Sequence, residues 1–373
     1  MDTDPFKEYI RQSEPNKRRK GDAWNIAIGL QAVDGLTPSK YLIETAIQNI
    51  EGSITIEEAQ RLIDSYYQEK PQTGDDERTE EADRVSARIA GLLADKAFSF
   101  SSNEYIAIHK RLFQGIYSHA GKIRDYNITK KEWVLDGDTV LYGSALELRA
   151  TLEYDLMQEK KFSYKGLSMD EIVHHLAVFV SGLWQIHVFE EGNTRTTAVF
   201  FIKYLRKLGF DAANDIFAEN AWYFRNSLVR ANYNNLKKGI YETTEYLERF
   251  LKNLLLHQKN KLSNRNLHIY AGADEEKPDI GEEKPDIGEE KPDIDIAEQF
   301  KIAADSFSGK TISHMQKLFA NYGAGIIFGR NDVMDLLGIK KSGASELLRK
   351  MLKAGILEAV SGHGKGRYRF KNP

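Results

Sequence analysis

The chain contains no cysteine, which excludes disulfides, thiolate zinc sites and thiol nucleophiles together and fits a reducing cytoplasm. No run of about 18 apolar residues occurs, the length a helix needs to cross a bilayer, so no membrane partner is expected. The opening MDTDPFKEYIRQSEPNKRRKGD lacks the apolar stretch of a secretory signal, and a cytoplasmic protein is expected. Excess charge of one sign is lacking too. The 52 Lys and Arg against 55 Asp and Glu leave a net charge of −3, too little to name a partner, and nothing sets an oligomeric state. What is there is an ordinary globular composition over 373 residues, with room for two or three domains and a sizeable core.

The densest chemistry lies in HVFEEGNTR, His187 to Arg195. Before it, Ser168 to Ile186 reads as a helix: Ser168 and Glu171 form an S-x-x-E capping box, and Ile172, Leu176, Ala177, Val180 and Trp184 recur at helical spacing. After it, Thr196 to Leu208 reads as a second helix that stops at Gly209. The motif is therefore a loop that opens a helix, where unpaired N–H groups and the positive dipole end favour an anion. Gly192 lets the backbone approach that anion, and Asn193 and Arg195 can add amide and guanidinium donors to a phosphate. Glu190 or Glu191 can hold magnesium against phosphate oxygens. His187 can accept a proton near neutral pH, and Phe189 is expected to turn inward as an anchor. A helix-loop-helix with a solvated polar loop and one structural histidine would contain the same residue types; their joint occurrence at this spacing sets the stretch apart.

The stretch resembles the signature of the Fic family, H-x-F-x-D/E-G-N-G-R, at His187, Phe189, Glu191, Gly192, Asn193 and Arg195. The resemblance implies a mainly α, helical Fic fold with a small β-hairpin flap. It also implies an enzyme that moves AMP from ATP onto a Ser, Thr or Tyr hydroxyl of a target protein. His187 would be the catalytic base and Glu191 the Mg2+ ligand. Gly192, Asn193, Thr194 and Arg195 would hold the phosphates, with ATP and Mg2+ as cofactors. Thr194 departs from the family's commonest form, which has glycine there, and Ala198 stands where many members carry a further arginine. A group other than AMP, or nucleotide binding without transfer, is therefore kept as an alternative.

Residues 1–69 read as a basic cluster, Lys17 to Lys20, followed by helices at Ala23 to Val33, Ser39 to Ile50 and Ile56 to Tyr67. This resembles the inhibitory helical module of some Fic proteins, whose pattern Ser/Thr-x-x-x-Glu-Gly/Asn sets a carboxylate against the motif arginine. The inhibitory candidates are Asp34, before Gly35, and Glu51, before Gly52; neither has the hydroxyl residue in place, and Ser86 with Ala90 and Gly91 has the hydroxyl without the acid. A bacterial-type, autoinhibited enzyme is expected.

The catalytic domain is expected over residues 70–270. Lys70 to Glu81 reads as a linker, with helices following at Ala82 to Ala97, Ser102 to Tyr117 and Ala145 to Gln158, and a last one at Thr243 to Leu262. His109 and His119 read as packing or capping residues. His174 and His175 either flank the pocket or pack. Around Asp136-Gly137, a turn signal, Ile128 to Leu141 reads as a β-hairpin. The resemblance makes it a flap that aligns the target segment by its backbone. Trp222 to Leu236 reads as an adenine-lining segment or, better, as an amphipathic helix with its arginines outside.

EEKPDIG occurs twice and EEKPDID once between Glu275 and Asp295. A proline in each copy forbids a continuous helix. Asp274 to Glu298 holds twelve acids and three lysines, net −9, so an acidic tether is expected over residues 271–297. The charge then reverses, with nine Lys or Arg against two Glu from Lys340 to Pro373. Residues 298–373 resemble a winged-helix domain, with helices at Asn331 to Leu337 and Ser342 to Lys353 and a basic hairpin after them. The resemblance sets Lys340, Lys341, Ser342, Ser345, Arg349, Lys365 and Arg367 near DNA; the same fold also serves as a protein-docking module.

Overall fold

A computed structural model describes residues 15–69, 74–212, 215–270, 309–322, 327–353, 356–360 and 367–371. The chain forms two compact units, divided between Glu290 and Lys291. The acidic repeats and Lys365 lie outside the described residues.

The first unit is helical. Its elements are α1 Pro15–Gly29, a 3-10 turn Leu30–Asp34, α2 Lys40–Glu51, α3 Ile56–Glu69, α4 Gly74–Ala94, α5 Ser102–Phe113, α6 Leu148–Lys161, α7 Met169–Ile186, α8 Asn193–Lys207, α9 Ile216–Glu219, α10 Ala221–Ala231 and α11 Glu245–Leu256. Caps set several boundaries. Ser168 and Glu171 form the expected reciprocal box on α7, and Ser39 and Ser101 cap α2 and α5.

One apolar cluster runs from Ala23 to Leu267, so the core is continuous across residue 69. Three polar contacts fasten the amino-terminal helices within it. Trp24 Nε1 donates to Asn49 Oδ1 at 3.0 Å, and buried Asp83 of α4 accepts from Ser39 Oγ at 2.5 Å and Tyr67 Oη at 2.7 Å. Gly29 meets α9 so closely that a Cβ on it would lie 2.3 Å from Ala218 Cα. At the centre stands α8, in which every residue from Asn193 to Leu205 is buried.

Three expectations change. Lys70 to Glu81 is not simply a linker, since α4 already begins at Gly74; its acids Glu80 and Glu81 are drawn in by Arg84 and Arg195. Ile128 to Leu141 contains no strand. Val134 and Leu135 are buried, Trp133–Leu135 coils into a 3-10 turn, and Asp136 (φ 56) and Gly137 (φ 80) make the expected turn. Two backbone bonds close the segment around Glu132, Glu132 N to Asp138 O at 2.9 Å and Gly137 N to Glu132 O at 3.0 Å, and no ladder extends beyond them because side chains pin the segment instead: Glu132 points inward to Arg225. The same pair reverses the reading of Trp222 to Leu236, where Arg225 and Arg230 are both buried.

The second unit holds α12 Gly309–Tyr322, β1 Phe328–Gly329, α13 Arg330–Leu337, α14 Lys341–Lys353, β2 Leu357–Ala359 and β3 Arg367–Phe370. The strands form an antiparallel sheet in the order β1-β3-β2, with Phe328 opposite Tyr368 and Leu357 opposite Phe370. Its own core joins Met315, Leu318, Leu347, Leu348, Met351 and Phe370.

Candidate active site

The motif loop joins α7 to α8 and is fixed at both ends. His187 caps α7 in the left-handed region, φ 51, a conformation that histidine adopts more readily than most residues. Gly192 opens α8 with φ 74, and a Cβ there would fall 2.3 Å from Phe113 Cε2; only glycine meets both conditions. Between them Phe189 is fully buried, stacked on His109 with ring centroids 3.7 Å apart. His109 also holds the loop. Its Nδ1 accepts from Gly121 N at 2.8 Å, so Nε2 carries the proton and donates to Glu191 O at 2.9 Å.

Arg124 adds a third fastening. Its guanidinium donates to four carbonyls, those of His187 at 2.7 Å, Gly143 at 2.6 Å, Ile186 at 3.4 Å and Tyr126. Burial pushes its pKa down to about 10.

The His187 ring lies 4.3 Å from the Tyr142 ring and 5.4 Å from that of Trp184. It is 4% exposed, and neither ring nitrogen has a hydrogen-bond partner among the described residues. Burial, and then the charges of Lys130, Arg124 and Arg225, hold its pKa well below 6.5. The imidazole is neutral at pH 7 and both nitrogens are unengaged, which is the state a proton acceptor needs.

Asn193 and Thr194 turn toward the scaffold. The Asn193 side chain accepts from Phe189 N at 2.9 Å and donates to Phe189 O at 2.7 Å, so it ties the loop to itself. Thr194 Oγ1 accepts from Trp184 Nε1 at 3.0 Å. Glu191 is partly exposed, with Lys130 Nζ 3.8 Å from its Oε2, and Glu190 lies 3.6 Å from His119 Nδ1. Among the described residues no three His, Asp or Glu gather as a metal cluster.

Arg195 is 1% exposed and surrounded. Its Nε lies 2.6 Å from Asp34 Oδ2, off the N–H direction and so an ion pair rather than a hydrogen bond. Nη2 donates to Glu81 Oε1 at 2.6 Å and to Tyr117 Oη at 3.1 Å, Nη1 donates to Gln31 Oε1 at 3.1 Å, and the Phe113 ring lies beneath at 4.8 Å. Burial alone would favour loss of the guanidinium proton; Asp34, Tyr117 and Glu81 outweigh it and raise the pKa. Glu51 is engaged elsewhere, 3.1 Å from Lys17 Nζ. The structure therefore brings His187, Glu191, Gly192, Asn193, Thr194, Arg195 and Asp34 around one loop. Glu81, Gln31, Tyr117, Arg124 and Lys130 join them without any signal in the sequence. His174 and His175 pair with Glu248 and Glu159.

The buried histidines give stability a pH dependence. Burial, together with His119 and Arg195, pushes His109 down to about 3, whereas in the unfolded chain it titrates near 6.5. Below about pH 6.5 the unfolded state takes up a proton that the folded state refuses, so stability falls as pH falls. The slope is up to ~1.4 kcal/mol per pH unit for this histidine. Urea midpoints measured from pH 7 to 4 should decline in step, and His109→Gln should flatten the decline; equal slopes in both proteins would contradict it.

In the second unit a cleft of about 680 Å³ is lined by Arg330, Ser345, Leu348, Arg349, Arg367 and Tyr368 among others. Arg367 pairs there with Asp332 at 3.0 Å. Lys340, Lys341 and Arg349 are exposed, and Ser342 lies in the first turn of α14.

No curated protein matches the chain. Solved structures that are similar to it include two Fic proteins. One is the N-terminal FIC domain of the Bep8 protein, a VirB-translocated Bartonella effector protein, from Bartonella sp. 1-1C, at 18% identity over 50% of this chain and 88% of that one, with a TM-score of 0.39. The other is a Fic family protein from Desulfovibrio desulfuricans G20, at 14% identity over 99% of this chain and 94% of that one, with a TM-score of 0.40. Residues 99–205, which hold the motif loop, all of α7 and most of α8, match the model of the Fic/DOC family.

Proposed function

We propose that the first unit is a protein adenylyltransferase, held inactive by its own acids. Fic-domain proteins generally transfer nucleotide-derived phosphate groups to proteins and bind ATP. The observation that carries the reading here is the neutral His187 ring, unengaged at both nitrogens, on the same short loop as the start of α8 and Arg195. A target hydroxyl reaches the ring by displacing Tyr142, and His187 takes its proton as the oxygen attacks phosphorus. The N–H groups at the start of α8 and the Arg195 guanidinium hold the phosphate oxygens. Asn193 serves by keeping the loop in shape. Glu191 offers one carboxylate, a donor set that suits magnesium arriving with nucleotide phosphates, where it would neutralise their charge.

Asp34 and Glu81 compete with phosphate for Arg195. Asp34→Ala should raise self-labelling on the order of tenfold, a typical coupling between two states, and adding Glu81→Ala should raise it further. No increase in either variant would remove the acids as inhibitors. The second unit is proposed as a winged helix that contacts DNA through Lys340, Lys341, Ser342, Ser345, Arg349, Lys365 and Arg367. Its helix order and three-stranded sheet support this.

A second reading has the domain bind nucleotide and transfer nothing, as a regulator of that DNA contact. The commitment of the Asn193 amide to Phe189 and of Arg195 to two acids favours it. Incubating the Asp34→Ala chain and a target-containing extract with ATP labelled at the α or γ position, followed by intact mass, separates the readings. An AMP-sized increment supports the transferase, a phosphate-sized one replaces it with a kinase, and none supports the regulator.

A further inference from the structure

We propose that Lys130 is a catalytic residue, donating to a non-bridging oxygen of the transferred phosphate as charge builds there. The inference rests on the transferase reading. Lys130 reaches in from the segment before the 3-10 turn, its side chain 12% exposed, with Nζ 3.8 Å from Glu191 Oε2. It is also the charge that bears most strongly on His187. The ammonium thus lies beside the acid of the motif loop and within electrostatic reach of its base. The reacting phosphorus must lie near both if His187 is to deprotonate the hydroxyl attacking it.

Two further cations near the loop hold the scaffold: Arg124 serves four carbonyls and Arg225 serves Glu132. Arg195 takes phosphate only when Asp34 and Glu81 give way. Helix α8 brings no second cation one turn on, since Ala198 is apolar and fully buried. The backbone holds Lys130 in place, its N–H donating to Thr139 Oγ1 at 3.3 Å. When nucleotide enters, the ammonium exchanges or shares its pairing with Glu191 for a phosphate oxygen, a compact point charge suited to that role.

The step balances without a proton from Lys130. The hydroxyl oxygen of the target forms a bond to the α-phosphorus, its proton passes to a His187 nitrogen, and the bond from that phosphorus to the bridging oxygen breaks. Pyrophosphate leaves with the electron pair. The lysine remains an ammonium throughout and acts on the oxygens that carry the growing charge.

The test uses the full chain carrying Asp34→Ala as parent, with transfer from α-labelled ATP and equilibrium ATP binding measured side by side. Lys130→Met should lower kcat on the order of 100-fold, the usual loss for one donor to a developing anion. ATP affinity should change by no more than about threefold, because such a donor acts mainly in the transition state. Lys130→Arg, which keeps the charge, should recover most of the rate. His187 is faced by Lys130, Arg124, Arg225 and Tyr142, with Glu132 behind, so removing the lysine charge should also move the acid limb of the kcat profile to higher pH. Lys130→Arg should leave that limb in place. Thermal midpoints confirm that each variant is folded. Lys130→Met with kcat near the parent's overturns the inference alone, as does a loss confined to ATP affinity. A parent that binds ATP and transfers nothing overturns the transferase reading, and this inference with it.

Discussion

Replacing His187 by alanine in the Asp34→Ala background should abolish transfer from α-labelled ATP and leave ATP binding nearly unchanged. The ring touches Tyr142 and Trp184 and bonds to nothing among the described residues, so its removal takes away no contact to the cradle that starts at Gly192. What is lost is the proton acceptor, a loss of on the order of 10³-fold in rate for a positioned general base. Because truncation also removes ring packing, His187→Asn is the companion variant: it keeps a polar side chain of similar reach that takes up no proton. Both should be silent in transfer while binding ATP. Transfer retained in His187→Asn would show that the ring only packs. The charges around the ring add a second signature. With the pKa of His187 held well below 6.5 by burial and then by Lys130, Arg124 and Arg225, the acid limb of the rate should lie below the usual histidine range.

The parts of this site legible in the sequence are those written locally. Ser168 and Glu171 announce the start of α7 three residues apart, and the run from His187 to Arg195 carries its glycine, amide and guanidinium in order. Asp34 is local in the same sense, since Gly35 follows it and ends the 3-10 turn in the left-handed region. Glu81 is different. It reaches Arg195 across 114 positions from a stretch whose proline, glycine and acids imitate a linker. Arg124 reaches the His187 carbonyl across 63 positions, and no periodicity reports on such a pairing. The expected hairpin failed for a related reason. Alternating β-branched and aromatic residues suit a strand, but Glu132 among them is committed to a buried arginine 93 positions away. Tertiary pairing then overrides local preference. Asn193 shows the limit in the other direction: residue type suggested a phosphate donor, and four positions of chain geometry turned the amide back onto Phe189.

Glu132→Ala has the largest expected effect on the fold. The carboxylate is 1% exposed, and Arg225 donates to it from Nη1 at 2.6 Å and Nη2 at 3.3 Å, while Tyr142 Oη donates at 2.9 Å. Truncation leaves the Arg225 guanidinium buried without its counter-ion, which costs about 3–5 kcal/mol. Urea unfolding should show a midpoint lowered accordingly, and Arg225→Ala should show a comparable loss. Replacing both at once by apolar residues of similar volume, Glu132→Leu with Arg225→Met, should recover most of the stability, because no charge then remains to be desolvated. A single Glu132→Ala variant within about 1 kcal/mol of the parent, the range of a surface pair, would mean that the guanidinium finds water or another acceptor. The pair also reaches the chemistry. Tyr142 lies against the His187 ring and Arg225 bears on its charge, so Arg225→Ala, which takes the cation alone from beside the imidazole, should move the acid limb of the rate to higher pH. The apolar double variant removes an anion with that cation, so its acid limb should lie closer to the parent's, a difference between the two variants that a merely structural ion pair would not produce.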